Sequence, residues 1–375
     1  MSNHHRSGRL ALVSALFMTV AGCVAAVDRG APAGSDGGSS DDNDDNDDTD
    51  DVADDGPSSP ATFVYQEVAG TACGNGTPAG IGLAPQPGSR TLVIIMNGGG
   101  ACWDTFTCFG LNAATHLSTT YGPDVLETDL QPLQRTGLTD RGDDDNPFAT
   151  ANFAFVPYCT GDLGNGRAVR RYQTDLLGLA FRDVHHVGRN NAVANAVVLA
   201  SRFPDVDLVY VMGASAGGYA AVLNDDLVVG AFPAATVHVL ADGAPFVPPQ
   251  NGLFGTWQAQ WDLPIPADCD GCDRTFSTLF ERRRAGDPSR RFALLTSTND
   301  EVIRTYFGYG VNDMTPQVNA IVDAQHSQAN SHAFVVTGVQ HVLIGAYAQP
   351  GPLRDFVKHW ATGSADWSTI TPNDF

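Results

Sequence analysis

The sequence predicts an α/β fold, a mostly parallel sheet with helices on both faces. Three observations predict it. From residue 62 onward, short apolar runs alternate with helical patterns, as in βαβ units. The runs lack polar alternation, as expected of strands covered on both sides. Candidate reactive residues follow several of these runs, where open α/β sheets build their sites.

The elements justify themselves in order. Residues 91–96, Thr-Leu-Val-Ile-Ile-Met, form a buried strand by composition, and 153–156, Phe-Ala-Phe-Val, form another. Ala, Val and Leu recur at helical spacing over 190–203, and Pro204 stops that helix. A strand at 208–212 and an Ala-rich helix at 216–229 come next. Further strands fall at 237–241, 292–295 and 333–336, and a closing helix at 353–360. About 315 residues is long for one domain, but an α/β sheet with loop insertions reaches it, so 61–375 is taken as one unit.

What precedes residue 61 differs in kind. His4, His5, Arg6 and Arg9 make a basic start to an apolar run of 11 residues at 10–20. Such a run is too short to span a bilayer and suits a signal peptide. Val20-Ala-Gly-Cys23 follows, small residues before a cysteine that resemble a bacterial lipoprotein box, so 1–22 is expected to be a signal segment and Cys23 the lipidated residue. Residues 23–60 hold twelve Asp and one Arg among Gly, Ser and Pro. They read as a disordered tether extended by like-charge repulsion. A calcium loop would need Gly at its sixth position and Glu at its twelfth, and neither falls in register.

The formal charge of −21 therefore divides into −11 within the tether, +2 in the leader and −12 in the domain. Such a balance argues against nucleic acid and against docking on anionic lipid, since both need a basic face. An exported chain makes its remaining cysteines a disulfide question. Cys73, Cys102, Cys108, Cys159, Cys269 and Cys272 permit three bridges and 15 connectivities. Cys269-Asp-Gly-Cys272 has the spacing of a redox or zinc half-site, but no second pair has zinc spacing. A small loop bridge is the preferred reading.

Gly213-Ala-Ser215-Ala-Gly217 fits G-x-S-x-G, with an apolar strand before it and a helix after it. Glycines leave room for a serine held at a sharp strand-to-helix turn, and the helix N-terminus favours developing negative charge. Such a serine needs a base, and the base needs an orienting acid, in the chain order Ser, acid, His. Of ten histidines, only His341 lies between the last apolar strand and the closing helix. For the acid, Asp300 after strand 292–295 is preferred, and Asp242 after strand 237–241 is the alternative. Asn97-Gly-Gly-Gly100 follows the first strand, and its backbone N–H groups are placed to hold an oxyanion with that of Ala216. G-x-G-x-x-G and G-K-[ST] are both missing, so no dinucleotide or phosphate loop is read.

Several segments together resemble the pectinacetylesterase/Notum family of α/β-hydrolase-like serine esterases, specifically its bacterial branch. They are Asn97-Gly-Gly-Gly-Ala-Cys102-Trp103, Pro157-Tyr-Cys159-Thr-Gly-Asp162, Gly213-Ala-Ser215-Ala-Gly-Gly218, Asn299-Asp300-Glu301 and Gln340-His341, within about 63–361. The resemblance implies a triad of Ser215, Asp300 and His341, and oxyanion donors at Gly99, Gly100 and Ala216. It also implies Trp103 at the pocket mouth and disulfides that involve Cys102, Cys108 and Cys159. After Asp162 the chain reads Leu-Gly-Asn165 where many relatives carry a histidine, so no histidine role passes to that loop. Ester hydrolysis is expected, with acetyl on a sugar hydroxyl as the substrate group and neither metal nor cofactor. A small or polysaccharide ester, a membrane anchor and a monomeric chain facing the periplasm or exterior complete the expectation. The alternatives are a catalytically silent surface lipoprotein that binds glycan or lipid, and a lipase-like or polyester-cleaving hydrolase.

Overall fold

The structure, a computed structural model, describes residues 59–374 apart from 176–178. The expected signal segment, Cys23 and nearly all of the tether lie outside the described residues.

Among the described residues, ten strands form two sheets. β1 (Val64–Glu67), β2 (Gly80–Ala84), β3 (Thr91–Met96), β4 (Asn152–Val156), β7 (Leu208–Ala214), β8 (Thr236–Asp242), β9 (Phe292–Ser297) and β10 (Ser331–Val336) make the main sheet. Its order is β1-β2-β4-β3-β7-β8-β9-β10. From β4 to β10 all pairs are parallel, and β1 and β2 add an antiparallel margin. β5 (Ala168–Gln173) and β6 (Phe181–His186) form a separate antiparallel hairpin.

The missing polar alternation has a direct cause. In β3, Leu92, Ile94 and Met96 join one core cluster while Val93 and Ile95 join another on the opposite face. In β7, Val209 and Val211 separate from Tyr210 and Met212 in the same way. Both faces are covered, so every position is apolar.

The helices are α1 (Pro123–Arg135), α2 (Gly188–Arg202), α3 (Ala216–Leu223), α4 (Asp225–Ala231), α5 (Leu253–Trp261), α6 (Phe276–Gly286), α7 (Glu301–Tyr306), α8 (Met314–His326) and α9 (Pro352–Thr362). The single helix expected at 216–229 is a correction: it is two helices, α3 and α4, broken at Asn224. The Asn224 amide donates to the carbonyls of Gly164 and Ala220, so tertiary contact bends the chain there. Trp360 of α9 packs on Tyr210 with ring centres 5.2 Å apart, closing the second face.

Three disulfides are formed: Cys73–Cys159, Cys102–Cys108 and Cys269–Cys272. The last is the short loop bridge preferred for the Cys-Asp-Gly-Cys run. Asp162 holds a turn, its carboxylate accepting from the Thr160 hydroxyl and the amides of Gly164, Gly166 and Gly188.

Candidate active site

Parallel strands place all their carboxyl ends on one edge of the sheet. β3 ends in the glycine loop, β7 in Ser215 and β8 in Asp242. β9 leads to Asp300, and β10 leads to His341. Residues far apart in sequence thus meet at one rim because the sheet is parallel.

Ser215 sits between β7 and α3 with φ 57° and ψ −126°, a conformation that non-glycine residues rarely adopt. Such backbone strain costs on the order of 1–3 kcal/mol and marks functional turns. The neighbouring glycines are required. A Cβ on Gly217 would come within 2.0 Å of the Met96 carbonyl, and one on Gly213 within 2.2 Å of the Gly217 carbonyl. The Ser215 amide donates to the Asp242 carbonyl at 2.8 Å.

Asp300 caps α7. Its Oδ1 accepts from the amides of Val302 and Ile303, which leaves Oδ2 for His341 Nδ1 at 2.7 Å. The carboxyl is fully buried, and burial raises its pKa above the usual range while His341 and the two amides pull it down. His341 Nε2 is buried and has no hydrogen-bond partner among the described residues, so no bond to Ser215 Oγ is formed. Without substrate, such catalytic hydrogen bonds are often long.

Asp242 is used differently. Both its oxygens lie 3.0 Å from the Leu343 amide, and Oδ2 also accepts from Ile344 at 2.8 Å. Its carboxyl therefore engages the backbone beyond His341, whereas Asp300 engages the imidazole.

The glycine loop lies against the serine. A Cβ on Gly98 would stand 3.1 Å from Ser215 Cβ and 2.3 Å from the Ala214 carbonyl. Gly99 and Gly100 have φ 151° and 76°, and their carbonyls accept from the Thr115 amide and the Tyr158 hydroxyl. Ala216 opens α3, so its N–H is among the donors that a helix leaves unpaired. Asn97 steadies the loop: its Oδ1 accepts from the Gly98 amide and its Nδ2 donates to Asp129. Asp129 also accepts from Tyr121 and lies 3.0 Å from His116 Nε2.

Beside Ser215 lies a cavity of about 20 Å³ walled by Leu163, Tyr219, Trp257, Ile303, Tyr306 and Phe307. Trp103 is one layer further out, its ring 5.7 Å from that of Trp257 and 6.5 Å from that of Trp261. Cys102, Cys108 and His186 approach one another with metal-ligand atoms. The two sulfurs are joined, and both His186 ring nitrogens are hydrogen-bonded, so the three offer no free donor set.

Sequence reasoning did not single out Asp129, Trp257, Tyr306 or Phe307. Asp129, Trp257 and Tyr306 lie on helices and Phe307 directly follows one, where such side chains read as ordinary packing or surface. Tyr158 stood inside the Pro157-Tyr-Cys159 segment, and its hydroxyl was the unread signal.

Similarity to known proteins agrees with this geometry. The curated relatives include the palmitoleoyl-protein carboxylesterase notum1a of Danio rerio, 26% identical over 167 residues, covering 44% of this chain and 31% of that protein. The Homo sapiens NOTUM is 25% identical over 183 residues, covering 47% and 34%. The chain thus matches about a third of the length of these relatives. Among solved structures, the Wnt deacylase Notum from Drosophila superposes with a TM-score of 0.57 at 16% identity, over 80% of this chain and 93% of that one, a likeness of fold. A family profile described as pectinacetylesterase matches residues 52–258, more than half of the chain and including the glycine loop and Ser215. The chain belongs to the pectinacetylesterase family, on a mostly parallel α/β-hydrolase-like fold.

Proposed function

We propose that the protein is an exported serine carboxylesterase that removes a small acyl group, acetyl foremost, from a hydroxyl of a glycan or related ester. The observation that carries this is the Asp300–His341 pair, with its Nε2 unengaged, at the same sheet edge as the strained Ser215. In this reading Ser215 Oγ attacks the ester carbonyl while His341 Nε2 takes the hydroxyl proton. Asp300 orients the imidazole and stabilises its positive charge. The oxyanion is held by N–H groups of Gly99, Gly100 and Ala216. Collapse breaks the carbon–alcohol bond, and His341 returns the proton to the leaving alcohol. Water then repeats the sequence on the acyl-enzyme, releasing the carboxylic acid and restoring Ser215.

The cavity supports a small acyl group. About 10–15 Å³ of such volume holds one water, so 20 Å³ suits a methyl-sized group. The relatives are named for removal of palmitoleoyl, a far longer acyl chain than the acetyl group preferred here. A domain charge of −12 favours a neutral ester over a polyanion, within a screening length of about 8–10 Å. Trp103 in this reading lines the outer approach behind Trp257. The organisation proposed is a signal segment at 1–22, a lipidated Cys23 with its tether to residue 60, and a monomeric esterase domain at 61–375.

The test is hydrolysis of p-nitrophenyl acetate, butyrate and palmitate by the wild type and Ser215→Ala. Acetate is expected to be the best substrate, and Ser215→Ala is expected to lose at least a thousandfold in kcat. No turnover on any chain length moves the protein to the silent binding reading. Equal activity in Ser215→Ala refutes the nucleophile. Retention of a Cys23→Ala form in the membrane fraction refutes the anchor.

A further inference from the structure

Asp242 has three connections to the site, none of them to the imidazole through a hydrogen bond. Its backbone carbonyl accepts from the amide of Ser215. Its carboxylate accepts from the amides of Leu343 and Ile344, two and three residues after His341. The next residue, Gly243 at φ 58°, lies so close to His341 that a Cβ there would stand 2.3 Å from its carbonyl oxygen and 3.2 Å from Nδ1. The end of β8 is therefore a segment against which both the serine turn and the histidine loop are registered.

We propose that Asp242 is a positioning residue whose ionised carboxylate fixes the histidine loop against the serine turn. The proposal rests on the serine esterase reading of the same site. A carboxylate offers enough lone pairs for both amides, and a charged acceptor roughly doubles the strength of each bond. The group is completely buried, and burial pushes its pKa up to about 7, against the pull of the two amides. The titratable groups facing it are His341 on the loop, which lowers it, and Asp300 at the start of α7, which raises it. Near neutral pH the carboxyl therefore exchanges its proton. The neutral acid holds the loop less firmly and removes a negative charge that favours the imidazolium formed in the transition state. Loss of the Asp242 proton therefore raises activity, in addition to the free imidazole that the chemistry needs.

Asp242→Asn is a fair probe, because Oδ2 alone already reaches both amides and a single amide oxygen can replace it. On p-nitrophenyl acetate at pH 8.5, the variant is expected to lose about tenfold in kcat with KM within twofold, since a misplaced base impairs the chemical step. The acid limb of log kcat against pH should steepen beyond one proton in the wild type and fall to one proton in the variant. Wild-type kcat and slope in Asp242→Asn overturn the proposal. So does a one-proton limb in the wild type, which decides the matter even if the variant does not fold. A loss as large as that of Asp300→Asn, expected near a thousandfold or more, overturns it too by making Asp242 the orienting acid. Labelling of Ser215 by a fluorophosphonate separates the two ideas. A wild type that neither labels nor turns over sinks the esterase reading and this proposal with it, whereas normal labelling beside an unchanged Asp242→Asn sinks this proposal alone.

Discussion

The proposed preference for a short acyl group rests on the side chains that wall the small cavity beside Ser215. Tyr306 lines the cavity and donates to the Ala113 carbonyl at 2.5 Å, which holds its ring in the cavity wall. Tyr306→Ala should open that wall and raise the ratio of butyrate to acetate kcat/KM by about tenfold or more, the usual worth of a methylene or two in an apolar pocket. An unchanged ratio would show that Tyr306 does not limit chain length. Ser215, His341 and Asp300 stand out as candidates in the sequence because each follows a strand, in the order that a triad demands. For the acid, the sequence preferred Asp300 and kept Asp242 as the alternative, since both follow strands. What separates their environments is which atom each carboxylate faces: His341 Nδ1 for one, two loop amides for the other.

At the scale of elements, the glycine loop is held from outside by α1. Asp129 on that helix gathers Asn97, Tyr121 and His116. Asp129→Ala leaves Asn97 without its partner and lets the loop drift from the nucleophile. A fall in kcat of about tenfold with little change in KM is expected, less than the 10²–10³ lost with a whole oxyanion donor. A rise in KM alone would instead place Asp129 in substrate binding. This support was unreadable in advance, because α1 is an amphipathic helix whose Asp129 looks like any other polar position. The break between α3 and α4 does leave a trace in the chain. Asn224-Asp-Asp226 is a polar interruption that also opens α4, and the Asn224 amide binds the Gly164 and Ala220 carbonyls where the first helix stops. The β5–β6 hairpin lies off the main sheet, with Arg170 donating to carbonyls near the end of α5. Its polar alternation carries no trace of that partner.

Over the whole molecule, Cys73–Cys159 ties the segment between β1 and β2 to the loop after β4 across 86 residues, while Cys269–Cys272 spans 3. On the chain-entropy account, the long closure contributes about 4–5 kcal/mol and the short one about 2. Replacing Cys73 and Cys159 by Ser should therefore lower Tm well beyond the drop from replacing Cys269 and Cys272. Equal drops in thermal unfolding would contradict the entropic ranking. Burial of Asp242 adds a pH term. Its folded pKa of about 7 stands above the ordinary carboxylate value, so its stabilising contribution is complete at low pH and is lost as pH rises through 7. The site thus keeps its working charge at some cost in stability.

By itself, the sequence determined the parallel α/β architecture, the serine turn and the candidate base. Local chemistry dictates these: unbroken apolar runs demand cover on both faces, and only glycines tolerate so tight a turn around a serine. Tertiary structure placed Asp300 rather than Asp242 against the imidazole, paired Cys73 with Cys159 and Cys102 with Cys108, and set the size of the cavity beside Ser215. Those depend on distances between segments up to about two hundred residues apart, fixed by packing at the sheet edge rather than by anything periodic in the chain.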